Sequence, residues 1–117
     1  MVTSTRPVDF APLERLLHLA GSTDAPALML ALLDDLKSTQ SSLDQAWKRP
    51  DFAALRANSH VLIGLAGTIG DTELHALAQQ LNRGANTQNK TEMVDFKEPI
   101  MSSLASLIAQ LLNRVRA

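Results

Sequence analysis

The sequence has no cysteine and no tyrosine, and aromatic residues make up only 3% of its 117 positions. Without cysteine the chain cannot form disulfides or thiolate metal sites, which is consistent with a reducing cytoplasm. Leucine and alanine supply most of the apolar residues instead, and this favours packed helices over sheets. The chain is long enough for one domain with a single core and too short for two.

Charge of either sign is not in excess, because the formal net charge is −1. The chain therefore has no basic field that would attract nucleic acid or anionic lipid. Its first residues, MVTSTRPVDF, lack the apolar core of a signal peptide, and we find no apolar run near the length of a membrane span. We expect a cytoplasmic protein that binds no nucleic acid and does not insert into a membrane.

Apolar residues at helical spacing predict an all-α fold, with residues 1–8 as a flexible lead-in and residues 9–117 as the domain. Capping and helix-breaking residues mark the predicted boundaries: Asp9 and Gly21 for a short first helix, Thr23 or Asp24 and Pro50 for a long second helix, Asp51 for the third, and Asp71 or Thr72 for the fourth. Four longer helices with short links predict an antiparallel four-helix bundle with a short additional N-terminal helix.

The stretch RGANTQNKT, residues 83–91, combines a glycine with asparagines and threonines and is predicted to be a polar loop. The last helix is expected to begin near Asp95, because Pro99 is tolerated only near a helix start or at a kink.

One histidine of the third helix lies away from the predicted core. The inward stripe of that helix consists of residues at helical spacing: Phe52, Leu55, Ser59, Leu62, Ala66 and Ile69. On an ideal helical wheel His60 falls roughly 130° from this stripe, so its imidazole is predicted to be exposed.

The residues around His60 are mostly small. The neighbours on its side of the helix are Ala53, Arg56 and Ala57 before it, and Ile63, Gly64 and Gly67 after it. Glycine weakens a helix interior by roughly 1 kcal/mol relative to alanine, so bare backbone here suggests a surface cleared for a partner. Close helix packing at Gly64 and Gly67 is the alternative explanation.

Three other residues could assist His60. Arg56 places a cation one turn away, where it could hold an anion. His75, Gln79 and Asn82 share one side of the fourth helix, and Asn82 or Gln79 could hydrogen-bond or orient the imidazole if that helix packs beside the third. Ile63 is interpreted as a large apolar residue that points outward, as in a docking patch. His18 and His75 are interpreted as ordinary surface or boundary residues, and no metal site is expected.

The stretch HVLIGLAGTIGDTELHALAQQLN resembles the signature of histidine-containing phosphotransfer (HPt) domains. That signature is a histidine followed by x-L-K-G-x-A-x-x-hydrophobic-G and a leucine-rich helix. The matching positions after His60 are Leu62, Gly64, Ala66, Ile69 and Gly70. The resemblance covers roughly residues 13–82, and it implies a four-helix bundle with an exposed phosphoacceptor histidine.

By position the resemblance assigns the phosphoacceptor role to His60 and gives Gly64 the role of leaving room for a receiver domain. Asn82 matches a polar position that contacts the histidine in several members. The implied partners are receiver domains of response regulators or of a hybrid sensor histidine kinase. The chain is expected to need no cofactor of its own, with Mg²⁺ on the partner, and to be a monomeric phosphocarrier rather than an enzyme.

One position departs from the family pattern, because Ile63 stands where a lysine is common. A lysine would help neutralise the phosphate, so Arg56 takes that task or transfer is slower. This departure supports an alternative, a helical adaptor that binds a signalling partner through His60, Ile63 and Gly64 without being phosphorylated. A small enzyme or ligand-binding bundle is a third reading, but the sequence offers it no second catalytic group at useful spacing.

Overall fold

The computed structural model describes residues 8–116 of the chain, and within them all four secondary-structure elements are helices. They are α1 (Ala11–Lys48), α2 (Phe52–Ile69), α3 (Thr72–Thr87) and α4 (Lys90–Arg116). Both α2 and α4 pack on α1 and on α3, so α2 and α4 lie at opposite corners of a four-helix bundle. The short connections make successive helices antiparallel. The predicted all-α, four-helix fold is confirmed.

The predicted short N-terminal helix forms the first part of α1. Gly21, with φ 87° and ψ 164°, interrupts the helical geometry and separates this part from the long helix that follows. Ahead of it, Asp9 accepts a hydrogen bond from the Ala11 amide at 3.0 Å. Leu13 is fully buried and holds the short helix on the core. Of the predicted lead-in, residues 1–7 lie outside the described residues, and Val8 is half-buried against the core.

The predicted starts of the middle helices are confirmed. The Asp51 side chain accepts from the Ala54 amide at 3.1 Å, and the Asp71 side chain accepts from the Leu74 amide at 3.0 Å. Gly70 ends α2 in the left-handed region with φ 101°. Any other residue would be strained there, and a Cβ at Gly70 would lie 2.6 Å from the Asp9 carbonyl oxygen.

The predicted polar loop of residues 83–91 is wrong. α3 continues to Thr87 and α4 begins at Lys90, so only two residues separate them. Gly84 and Ala85 are buried because α4 crosses α3 closely here, and a Cβ at Gly84 would overlap the Met93 side chain. The small residues that suggested a loop therefore allow α3 and α4 to pack closely.

The predicted start of the last helix near Asp95 is also wrong. Asn89 accepts a hydrogen bond from the Glu92 amide at 3.1 Å and so caps α4 several residues earlier. Pro99 lies inside α4, on its exposed side. The buried Met93 and Ile100 pack on the core from either side of this proline, and this tertiary contact carries the helix through it.

By length and composition alone, α1 is apolar enough to cross a membrane, although no membrane span was predicted from the sequence. Gly21 breaks the helix within this region. The second part of α1 buries a stripe of large side chains against α2 and α4, as the core helix of a bundle does: Met29, Leu32, Leu33, Leu36 and Leu43.

Candidate functional site

His60 is exposed on α2, as the spacing of its helix predicts. The predicted inward stripe faces the core, with Phe52 half-buried and the other five members buried. The imidazole borders a shallow, open cavity of about 450 Å³ between α2 and α3. The cavity is lined by five residues: Arg56, Ala57, His60, Asn82 and Asn86.

Asn82 joins α3 to α2 beside the histidine. Its amide nitrogen donates to the Ser59 hydroxyl at 3.1 Å and to the Arg56 carbonyl at 3.2 Å. Ser59 is fully buried and donates in turn to the same Arg56 carbonyl at 2.9 Å. The sequence predicts that Asn82 either hydrogen-bonds the imidazole or orients it. Its hydrogen bonds go instead to the backbone and the side chain that precede His60, so Asn82 fixes the helix that carries the ring.

Gly64 has open space where a side chain would lie. Apart from its chain neighbours and the adjacent backbone of α2 itself, no atom of the described chain comes within 4 Å of a Cβ placed there. The same position is exposed, one turn after His60. Close helix packing therefore does not explain this glycine. At Gly67, one turn further, a Cβ would make only ordinary contacts, with the His75 ring at 3.6 and 3.8 Å.

The large exposed apolar residue beside His60 is Val61, not Ile63. Val61 is 46% exposed, whereas Ile63 is half-buried and packs against the core. The cause is the position of α3. Ile63 lies one turn after Ser59, on the side of α2 that Asn82 contacts, so α3 covers part of it. The interpretation of Ile63 as an outward-pointing residue is wrong, because its side chain packs partly against the core.

The remaining predicted site residues are exposed but not all are in the cavity. Ala53, Arg56 and Ala57 are exposed on α2. Gln79 is exposed on α3 and does not line the cavity, so the structure does not bring it to the imidazole. We use the term His60 face for the exposed residues on this side of α2: Ala53, Arg56, Ala57, His60, Val61, Gly64 and Gly67.

Asn86 is a cavity residue that sequence reasoning missed. It donates to the Asn82 side-chain oxygen at 3.3 Å. Its position one turn after Asn82 on α3 was a usable signal, but the expected loop over residues 83–91 removed it from the helix. Arg56 is therefore the cationic side chain at this cavity, and the neutral amides of Asn82 and Asn86 form the opposite wall.

Metal ligation has no candidate in residues 8–116, where no group of three or more histidine and carboxylate side chains is arranged to hold an ion. What the cavity offers is one exposed imidazole, one guanidinium and two amides. Such a set can present a nucleophilic nitrogen and bind an anion.

The sequence profile of the Hpt domain matches residues 27–117, which is most of the chain. The chain belongs to the Hpt domain family. The family supports a role in histidine phosphotransfer within two-component signalling, carried out by phosphocarriers. No curated protein matches this Hpt domain at a significant level.

The fold of this Hpt domain is similar to the crystal structure of histidine-containing phosphotransfer protein B from Pseudomonas aeruginosa PAO1. The TM-score is 0.83 at 19% sequence identity, and the alignment covers 97% of each chain. At this identity the likeness concerns the fold.

Proposed function

We propose that this Hpt domain accepts a phosphoryl group on His60 from an aspartyl phosphate of one receiver domain and passes it to another. The chain acts as a monomeric cytoplasmic phosphocarrier. Its partners are receiver domains of response regulators or of a hybrid sensor histidine kinase, and they bring the Mg²⁺.

The observation that carries the proposal is the open space at Gly64 beside an exposed imidazole. Glycine inside a helix costs roughly 1 kcal/mol relative to alanine, and here no contact within the described chain requires it. A glycine at this position is explained if a partner molecule must approach the backbone next to His60. A receiver active site seated over the histidine is such a group.

The chemistry needs little from this chain. The unprotonated nitrogen of a neutral imidazole attacks the phosphorus of the aspartyl phosphate, an N–P bond forms, and the P–O bond to the aspartate breaks to leave a carboxylate. Free histidine titrates near a pH of about 6.5, so neutral imidazole is available near pH 7. Phosphoryl transfer depends mainly on in-line positioning and charge neutralisation, which the receiver supplies in large part.

Arg56 supplies the positive charge on the Hpt side. It lies one turn before His60 and lines the same cavity. Position 63 is an isoleucine and contributes no charge to the phosphate. Charge-assisted hydrogen bonds from a guanidinium to a phosphate are among the stronger ones in proteins. Arg56 therefore takes the role that a lysine at position 63 would have.

Incubation with a phosphorylated receiver domain and Mg²⁺ tests the proposal. The wild-type chain should gain an acid-labile, alkali-stable phosphate, and a second, unphosphorylated receiver should then remove it. His60→Gln should take no label, whereas His18→Gln, which changes an exposed histidine elsewhere, should be labelled normally. Label on His60→Gln would refute the assignment.

The isoleucine at position 63, where the family commonly has lysine, also favours a second candidate, a helical adaptor that binds a signalling partner through His60, Ile63 and Gly64 without phosphorylation. The two functions differ in their dependence on the imidazole nitrogen. An adaptor should bind its partner and sustain the signalling output with His60→Gln, and the wild-type chain should take no label from any phosphorylated receiver.

A further inference from the structure

A second histidine borders the His60 face. The His75 side chain comes from α3, and its ring lies 3.6 Å (Cδ2) and 3.8 Å (Nε2) from the position that a Cβ on Gly67 would occupy. The ring thus occupies the space beside Gly67 and is half-buried there. The imidazole of His75 on α3 thus lies where a side chain at position 67 of α2 would extend.

The backbone that carries His75 is fixed. Its amide donates to the Asp71 carbonyl at 3.0 Å in the first turn of α3. Asp71 is only 2% exposed, and its side chain caps the same turn through the Leu74 amide. The Cα of His75 therefore has a fixed position beside α2.

The distance from His60 places His75 inside the footprint of a docked protein. Gly67 lies seven residues after His60, which is roughly 10 Å along the helix axis. A standard interface buries about 800 Å² on each partner, which corresponds to a disc of about 16 Å radius. A receiver domain centred on His60 therefore also covers Gly67 and the ring that lies against it.

Covering the ring removes water from its polar edge. A buried polar group is costly unless it is hydrogen-bonded, so the partner must offer the imidazole a hydrogen-bonding group there. We propose that His75 is a specificity-determining contact for the receiver domain, which pairs a polar group with this imidazole when it docks over Gly67. This inference rests on the proposed function, because it takes the receiver as the partner.

Single-turnover transfer from a phosphorylated receiver tests the inference, with the half-saturating receiver concentration and the limiting rate measured separately. His75→Ala should raise the half-saturating concentration about 3- to 10-fold and leave the limiting rate unchanged. His75→Gln, which keeps a hydrogen-bonding group at similar reach, should restore most of the affinity. Gly67→Ala adds a methyl group against the ring and should also weaken docking.

His18→Ala is the matched control. His18 is exposed on the short first helix, one turn after Glu14, which pairs with Arg114 of α4. That side of the molecule faces α4, which lies diagonally opposite α2 in the bundle. This variant should transfer like the wild type.

Labelling of His60 by phosphoramidate, a small donor that needs no docking, separates docking from folding. It should be unchanged in His75→Ala, and so should the melting temperature. An unchanged half-saturating concentration in His75→Ala overturns the inference alone. A parallel fall in phosphoramidate labelling and melting temperature also overturns it, because His75 is then structural. A wild-type chain that takes no label from any receiver overturns the proposed function and the inference with it.

Discussion

The Asn82 amide nitrogen lies 3.1 Å from the Ser59 hydroxyl and donates a hydrogen bond that joins α3 to α2 immediately before His60. The same nitrogen donates to the Arg56 carbonyl. The helical segment between Arg56 and His60 is therefore held by a side chain from the neighbouring helix. The stiffness of α2 at the imidazole depends on this contact as well as on its own backbone.

Asn82→Ala should lower both the stability and the transfer rate. The change removes two donated hydrogen bonds and leaves an unfilled space beside the buried Ser59 hydroxyl. The free energy of unfolding should fall by about 1–2 kcal/mol. Chemical denaturation measures the stability, and the labelling assay measures the rate. Asn86→Ala is the control, since it removes only an exposed 3.3 Å hydrogen bond and should cost less than about 0.5 kcal/mol. Equal effects of the two changes would contradict the role given to Asn82.

Gly64→Ala should raise the stability of the fold and lower its activity. Open space surrounds the new methyl group, and alanine favours a helix over glycine by up to about 1 kcal/mol. The same methyl group stands where the receiver must approach, so transfer should fall at least about 10-fold, or 1.4 kcal/mol.

Gly70→Ala is the matched comparison for Gly64→Ala. Its φ of 101° and the nearby Asp9 carbonyl make a side chain unfavourable there, and we expect a loss of about 2 kcal/mol. Thermal unfolding should show a higher melting temperature for Gly64→Ala and a lower one for Gly70→Ala than for the wild type. An active Gly64→Ala chain would show that no partner approaches this point.

Arg56→Gln should slow transfer by about 10- to 100-fold, because a charge-assisted hydrogen bond to phosphate is worth roughly 1.5–3 kcal/mol. Adding Ile63→Lys to this variant should recover part of the rate, because the aliphatic stem of lysine can keep the packing of the half-buried Ile63 while its ammonium group reaches the surface one turn after His60. Arg83→Gln removes a positive charge that lines a different cavity and should transfer normally. If Arg56→Gln and Arg83→Gln behave alike, Arg56 has no special role.

Val61→Asp should weaken receiver docking while the melting temperature stays close to the wild-type value. Val61 is 46% exposed, so an aspartate there leaves the core intact. Ile63→Asp should instead destabilise the fold, because Ile63 packs against the core. A titration with unphosphorylated receiver and a thermal melt of each variant separate the two cases. Loss of stability in Val61→Asp would contradict the exposed placement.

Local rules were enough to predict the parts of the fold that local chemistry decides. The side chains of Asp51 and Asp71 cap helices as expected, and Gly70 ends α2 in the left-handed conformation that favours glycine. The exposed position of His60 also follows from helical spacing alone, because its distance from the apolar stripe fixes its direction.

Tertiary contacts decided the parts that were missed. From the sequence, Gly84 indicates a loop, and only the position of α4 shows that it lies at a helix crossing. Pro99 likewise indicates a helix start, and only the buried residues on both sides show that the helix continues through it. The helical wheel placed Ile63 near His60 but could not say that α3 lies on that side. The hydrogen bonds from Asn82 to the residues before His60 could not be predicted for the same reason, because they depend on how α3 packs against α2.

The most direct test of the central claim is to find which residue carries the phosphate after transfer from a receiver. Mass spectrometry of alkaline digests identifies the modified peptide and distinguishes His60 from His18 and His75. We predict phosphate on His60 alone, and none on the His60→Gln chain. Phosphate on another residue, or an unlabelled wild-type chain beside a competent phosphorylated receiver, would contradict the account.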